Sequence, residues 1–478
     1  MPDVLRPDIC VIGAGSGGLS VAAAAAAFGV PVVLVEQARM GGDCLNFGCV
    51  PSKALIAAGK RAKWVTDGAR FGVHAAPPTI DFAAVHAHVH GVIAAIAPTD
   101  SVARFTGLGV RVVKGRARFT DADTVVVEDV AEIKARRVVI ATGSAPAIPP
   151  IPGLAETPYL TNETVFDLTE LPKRLVVIGG GAIGLELGQA FGRLGSEVIV
   201  IEAATPLGRD DPECANVVLE ALRKEGIAIR GGQAVTAIRP PEAAGGEIAV
   251  LVKTEQGEET VKGTHLLIAV GRKPNVDDLG LDKAGVAYGS SGVVVDKSLR
   301  TTNRRVYAIG DAAGGRQFTH VANYHAGLLI RNALFRLPVR AEDRAIPAVT
   351  FTDPELAQVG LTEAEARRQG VKINVLRWPY HENDRAQTER QTHGHIKVIA
   401  SQRGRILGAT IVGAHAGELI AMWALAIKQN LTVRSFAELT VAYPTFAEIG
   451  KRAAVTVYTR SLTNPFVRRI IGVLRRLG

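Results

Sequence analysis

The chain has 478 residues, 47% of them hydrophobic and 21% charged, with 51 glycines and three tryptophans. That length suits roughly three domains of about 150 residues each, with a large buried core, and the composition excludes a disordered or fibrous chain. The net charge of +9 suits an anionic ligand such as a dinucleotide, but the basic residues form none of the arginine-aromatic clusters of a nucleic-acid site, so no nucleic-acid partner is expected.

The N-terminus, Met-Pro-Asp-Val-Leu-Arg-Pro-Asp, lacks the basic region and apolar run of an export signal. Four cysteines are too few for a disulfide framework. A cytoplasmic location is expected, with any disulfide there catalytic. Residues Ile9 to Val35 carry no charge, a span long enough to cross a membrane. Glycines 13, 15, 17, 18 and 29, Pro31 and the run Ala22 to Ala27 divide it instead into strand, turn, helix and strand. The strand to Ile12 leads into Gly13-Ala14-Gly15-Ser16-Gly17-Gly18, and the strand Val32 to Val35 closes on Glu36. In that context Gly13, Gly15 and Gly18 let a pyrophosphate approach a helix N-terminus, and Glu36 can bind a ribose hydroxyl.

Next comes Gly-Gly-Asp-Cys-Leu-Asn-Phe-Gly-Cys-Val-Pro-Ser-Lys (Gly41 to Lys53), in which four residues separate Cys44 from Cys49. A disulfide closing so short a loop constrains the unfolded chain little, so the pair is better suited to being broken and remade than to stapling. If the segment is helical, a bend or unwound turn must bring the sulfurs together, and a helix N-terminus lowers the thiol pKa. Cys10 and Cys214 are expected to pack as small hydrophobes.

His86, His88 and His90 lie on a predicted helix without further ligands at metal spacing, so a solvated helix and no metal are expected. Val138 to Gly143, with Thr142 and Gly143 at its end, reads as a strand returning to the first nucleotide unit. A second unit follows: Leu175 to Ile178, then Gly179-Gly180-Gly181-Ala182-Ile183-Gly184, a helix, and a strand ending on Glu202. Gly179, Gly181 and Gly184 repeat the fingerprint. Glu202 favours NADH by repelling a 2′-phosphate, with Arg209 nearby keeping NADPH as the alternative. Leu266 to Gly271 is its returning strand, and Val306 to Asp311 sets a carboxylate after Gly310 where a sugar-like hydroxyl chain could bind. At the C-terminus, Asn464-Pro465 starts a helix whose arginines 468, 469, 475 and 476 take one half of the wheel and whose apolar residues take the other. Such a helix either docks on the protein, the favoured reading, or lies on an anionic membrane surface.

Together the first fingerprint, the cysteine segment, the second fingerprint running into Leu185-Glu186, Gly310-Asp311 and the stretch Ile346 to Thr362 resemble the class I pyridine nucleotide-disulfide oxidoreductases. The resemblance implies an α/β fold with two Rossmann-like dinucleotide domains and an α+β dimerisation domain. The divisions are 1–150 and 275–343 for FAD, 151–274 for NAD(P), 344–460 for the interface of a homodimer, and 461–478 for the tail. It further implies that Asp311 binds the flavin's ribityl chain, that Cys49 lies against the flavin, and that Cys44 faces substrate on the solvent side. Lys53 would lie near flavin N5, ion-paired with Glu186 beside the nicotinamide.

One position departs from the pattern. Members that exchange dithiols carry a C-terminal His-Pro followed by a glutamate, and here the stretch is Val441-Ala442-Tyr443-Pro444-Thr445-Phe446-Ala447-Glu448. A phenol titrates near 10 against about 6.5 for imidazole, so Tyr443 is a poor base and efficient lipoamide turnover is not expected, although Glu448 is kept. Mercuric reductase is similar in carrying tyrosine here, but its C-terminal vicinal cysteines and N-terminal extension are not seen. His320, His325 and His415 are candidate substitutes for the base. The expected activity is electron transfer from NAD(P)H through FAD and Cys44–Cys49 to a small disulfide, soft metal ion or similar electrophile. Alternatives are a dihydrolipoyl dehydrogenase of a 2-oxoacid dehydrogenase-type complex and a membrane-associated flavoprotein delivering to quinone.

Overall fold

The computed structural model describes residues 3–243, 245–459 and 464–477. The chain divides into two compact units, one of residues 1–179, 187–201 and 233–342, the other of 180–186, 202–232 and 343–478.

The first unit contains a five-stranded parallel sheet in the order Val306–Ala308, Arg137–Ile140, Ile9–Ile12, Val32–Glu36, Arg111–Lys114. Its central strand is buried at every residue. Cys10 and Ile12 pack with Phe119 and Ile133, while Ile9 and Val11 pack with Leu19 and Leu329. A strand buried on both faces has no polar side to specify register, so a slip of one residue would not expose apolar groups. The turn fixes it instead, the Gly13 N–H donating to Val35 O at 2.8 Å. The helix Ser16–Ala27 combines a good helix former with small size. Gly17 sits so close to the helix Thr319–Ala333 that a Cβ there would lie 3.2 Å from that of Ala322.

The second fingerprint has the same plan. Arg174–Ile178 pairs in parallel with Glu197–Glu202 on one side and His265–Ile268 on the other, and Ala182–Leu194 is the helix that follows. Three antiparallel strands, Val235–Arg239, Ile248–Thr254 and Gly257–Gly263, complete the core there through Ile238, Val250 and Val261.

The second unit is built on a five-stranded antiparallel sheet, in the order Ala348–Thr350, Glu355–Gly360, Ile406–Gly413, His395–Ser401, Ile373–Pro379. The helix Ala416–Lys428 lies on it and buries Trp423 stacked on Phe436, centroids 4.0 Å apart. The sheet and the helix Pro212–Lys224 share a buried charge cluster. Lys397 Nζ lies 2.8 Å from Asp211, 3.0 Å from Glu213 and 2.9 Å from Glu363, and Arg377 also pairs with the last two. Removing Lys397 would leave the buried Asp211 without this cation, a loss on the order of 3–5 kcal/mol, while Glu213 and Glu363 keep Arg377. In the tail, Pro465–Leu474 is helical, capped by the Asn464 side chain, with none of its residues buried. Residues 460–463 and 478 lie outside the described residues.

Candidate active site

The two fingerprints coincide in detail. Gly13 and Gly179 have φ of +105° and +117°, and a Cβ on either would fall 2.4 Å from the carbonyl of Ala141 or Ala269, so only glycine serves at these two turns. Glu36 accepts the N–H groups of Ala14 and Ala38, both at 2.6 Å. Glu202 accepts those of Gly180 and Ala204, both at 2.8 Å. Each carboxylate is thereby pinned at its strand end beside a helix N-terminus. No heavy atom lies within 4 Å of where a Cβ would stand on Gly143, Gly181 or Gly271, which leaves backbone open to a ligand. Gly15 and Gly18 complete the first turn, and Gly184 lies on the second fingerprint's helix. Amide donors, pinned carboxylates and open backbone together fit a dinucleotide at each fingerprint.

The cysteine segment is two helices, Gly42–Asn46 and Cys49–Asp67, broken at Phe47 and Gly48. It is fastened to the first fingerprint by the Gly41 N–H donating to Ala14 O at 2.9 Å, and a Cβ on Gly42 would come within 2.6 Å of Gly15 Cα. Both sulfurs are thiols here. Cys49 opens a 19-residue helix, where unpaired backbone N–H groups favour a thiolate. Its thiol is lowered to about 6, chiefly by the hydrogen bond from Cys44, with Thr319 and the Lys53 charge assisting against burial and the Asp43 charge. Thr319 Oγ1 is 3.3 Å from Cys49 Sγ. Cys44 is pushed up, first by that same hydrogen bond and then by burial. In the chain by itself Cys49 is exposed and Cys44 half-buried. Gly48 packs closely over the shorter helix: a Cβ on it would fall 2.8 Å from Asp43 Oδ2 and 3.3 Å from Cys44 Cα.

Lys53 follows one turn after Cys49 on the same helix, its Nζ 3.4 Å from Ser52 Oγ. Glu186 is buried and accepts the Phe351 N–H at 2.9 Å. Asp311 follows Gly310 in a single 3-10 turn and accepts from Ser144 Oγ at 2.6 Å. Burial raises its carboxyl. Thr142 and Gly143 are held by Asn275, which receives the Thr142 hydroxyl at its carbonyl (2.6 Å) and donates its amide to Thr142 O (3.0 Å).

Tyr443 is 69% exposed, and its hydroxyl donates to Asp384 Oδ2 at 2.7 Å. That bond raises the phenol above its ordinary range, so even less of it is ionised to serve as a base at neutral pH than in an isolated tyrosine. Glu448 begins the helix Glu448–Val455. Of the substitute histidines, His325 is buried, and its Nδ1 accepts the Gly310 N–H at 3.2 Å. His320 stacks on Phe318, and His415 lies 5.0 Å from Phe446. His86 and His90 face each other at 4.2 Å on the helix Phe82–Ile96, where His90 Nε2 also contacts Phe166 O at 3.1 Å. Cys10 and Cys214 are buried, the latter with its sulfur 3.4 Å from His395 Nε2.

Sequence reasoning missed Ser144, Asn162, Arg272, Asn275 and Thr319. Arg272 and Asn275 directly follow the returning strand ending at Gly271, so their position carried a signal. Thr319 comes near Cys49 only through the tertiary fold, across 270 residues of chain.

A family model described as pyridine nucleotide-disulphide oxidoreductase matches residues 7–326, and one described as its dimerisation domain matches 346–454. Mercuric reductase of Lysinibacillus sphaericus is 36% identical over 94% of this chain and 82% of that protein. Dihydrolipoyl dehydrogenase of Bacillus subtilis is 37% identical over 94% and 96%. The solved structure of the HOCl-induced flavoprotein disulfide reductase RclA from Escherichia coli superposes with a TM-score of 0.83 at 29% identity, covering 94% of this chain and 100% of that one. A further solved structure is titled as the Cu(II) complex of that reductase.

Proposed function

Because the chain belongs to the pyridine nucleotide-disulphide oxidoreductase family, whose members use FAD and NAD(P)H, we propose that it carries electrons from NADH through Cys44 and Cys49 to a small disulfide or soft metal ion. The bound flavin supplies the two-electron relay between nicotinamide and sulfur. Residues 1–150 and 275–343 are assigned to hold it, through Gly13, Gly15, Gly18, Glu36, Thr142, Gly143, Gly310 and Asp311. Residues 151–274 take the nicotinamide cofactor through Gly179, Gly181, Gly184, Glu202 and Gly271, and the carboxylate of Glu202 favours NADH over NADPH. Lys53 serves beside the flavin and Glu186 beside the nicotinamide. Residues 344–460 form the interface of a homodimer, in keeping with the match to a dimerisation domain.

In the oxidised enzyme the two sulfurs share a bond. Two electrons and one proton convert it to the Cys44 thiol and the Cys49 thiolate, which the helix N-terminus and Lys53 favour. Cys44 then loses its proton and attacks a disulfide acceptor, expelling one thiolate that takes up a proton. Cys49 next attacks the Cys44 sulfur, re-forming the bond and releasing the second thiol. With a metal acceptor, the same two electrons go to one Hg(II) or two Cu(II) ions. The Cu(II) complex of the related reductase supports a metal acceptor.

The observation that carries this choice is the Tyr443 hydroxyl bound to Asp384. Cys44 needs a base to leave the thiol form, and a phenol so held is not one at neutral pH. NADH oxidation should therefore be supported in the wild type chiefly by Hg(II) or Cu(II), with disulfides, lipoamide included, turned over slowly and accelerated by Tyr443→His. Fast wild-type turnover of lipoamide with no gain from histidine would overturn the proposal. It would establish the second reading, a dihydrolipoyl dehydrogenase, which the 37% identity to that enzyme favours. A third reading, quinone reduction at a membrane, draws on the exposed amphipathic helix Pro465–Leu474. Quinone turnover untouched by Cys44→Ser would favour it.

A further inference from the structure

Arg272 opens the short strand Arg272–Pro274, and its side chain is 12% exposed. Its Nη2 lies 3.1 Å from Asp43 Oδ1 and donates to Ser144 O at 2.7 Å. Its Nε donates to Ser144 Oγ at 2.7 Å and lies 4.0 Å from Asp311 Oδ2. The Ser144 hydroxyl, having accepted from Arg272, donates its own proton to Asp311 at 2.6 Å. One guanidinium thus addresses two carboxylates: Asp43, which immediately precedes Cys44, and Asp311, assigned above to the flavin's ribityl chain. A planar fork can do both at once, which a lysine point charge cannot. Asn162 Nδ2 also donates to Asp43 Oδ1 and to Phe47 O, both at 3.1 Å, but brings no charge.

We propose that Arg272 is a positioning residue that couples the dithiol to the flavin site: it neutralises Asp43 beside the sulfurs and, through Ser144, aims Asp311. This role rests on the dithiol-flavin function proposed above. The groups acting on the Cys49 sulfur are Cys44 and Asp43 from the preceding helix, Lys53 from its own and the hydroxyl of Thr319. Of these Asp43 is the anion, and its charge opposes a thiolate at both sulfurs. Arg272 is the cation in contact with it.

The test is the pH midpoint of thiol reactivity, read as the rate of iodoacetamide alkylation of reduced protein, alongside the dissociation constant for FAD. Arg272→Met should raise the midpoint by about 1 pH unit and weaken FAD about tenfold. Arg272→Lys should keep the midpoint and lose part of the flavin affinity. Asp43→Asn should lower the midpoint, and the double variant should return it to near the wild-type value. An unchanged midpoint in Arg272→Met, or an Asp43→Asn midpoint no lower than wild type, overturns the coupling; the latter decides the matter even if the methionine variant fails to fold. A wild-type protein that binds no flavin defeats the reading of the site itself, whereas the alkylation profile still reports on Arg272 alone.

Discussion

Around Cys49 the polar neighbours converge on one sulfur, with Cys44 and Thr319 as hydrogen-bond partners and Lys53 as a nearby cation. Around Tyr443 the hydrogen bond works the other way, since the phenol donates its proton to Asp384 and is held in the protonated form, which is no base. Cys49 is preorganised to be charged, and the phenol is held neutral. Under the function proposed above, this difference puts the chain's specialisation at the exit of the electrons, where the acceptor is met.

The largest expected effect breaks the comparison from the sulfur side. Cys49→Ser removes the group at which electrons arrive, and acceptor-dependent NADH oxidation should fall on the order of 10⁴-fold or more. Flavin absorbance would verify that the cofactor stays bound. Tyr443→His supplies the base that is missing at the exit, and lipoamide turnover should rise about 10²-fold or more, as steady-state kinetics would show. A third outcome concerns pH. The Cys49 thiol is lowered from its ordinary value to about 6, so the thiolate is present above that pH and is lost as pH falls through it. The alkylation rate of Cys49 should follow the same curve, and a midpoint near 9 would mean that the neighbours do not act on the sulfur as described. The smallest effect is at the other end: Tyr443→Phe removes the bond to Asp384 from a group that serves as no base, and metal turnover should stay within about threefold of wild type.

Much of this was legible because the signals are local. A glycine that must turn at φ near +105° or +117°, followed by a strand ending on a glutamate, announces each nucleotide unit within some 25 residues of chain. The break between two helices in the cysteine segment follows from the need to bring Cys44 and Cys49 together, and Gly48 supplies it. What the chain did not disclose depends on distant segments meeting. Thr319 reaches Cys49 and Arg272 reaches Asp43 only once the parallel sheet is assembled; the place of Arg272 after a returning strand marked it, but not its partner. The tail was legible as an amphipathic helix, but periodicity does not say what covers its apolar face, and none of its residues is buried in the single chain.

The claim beneath the whole account is that a Cys49 thiolate touches the flavin. An anaerobic titration of the flavin-loaded enzyme with one equivalent of dithionite tests it directly. The account predicts a long-wavelength thiolate-to-flavin absorbance at neutral pH that fades as pH falls through about 6 and is missing in Cys49→Ser. A bound flavin that shows no such band, or a band that survives the serine, would contradict it.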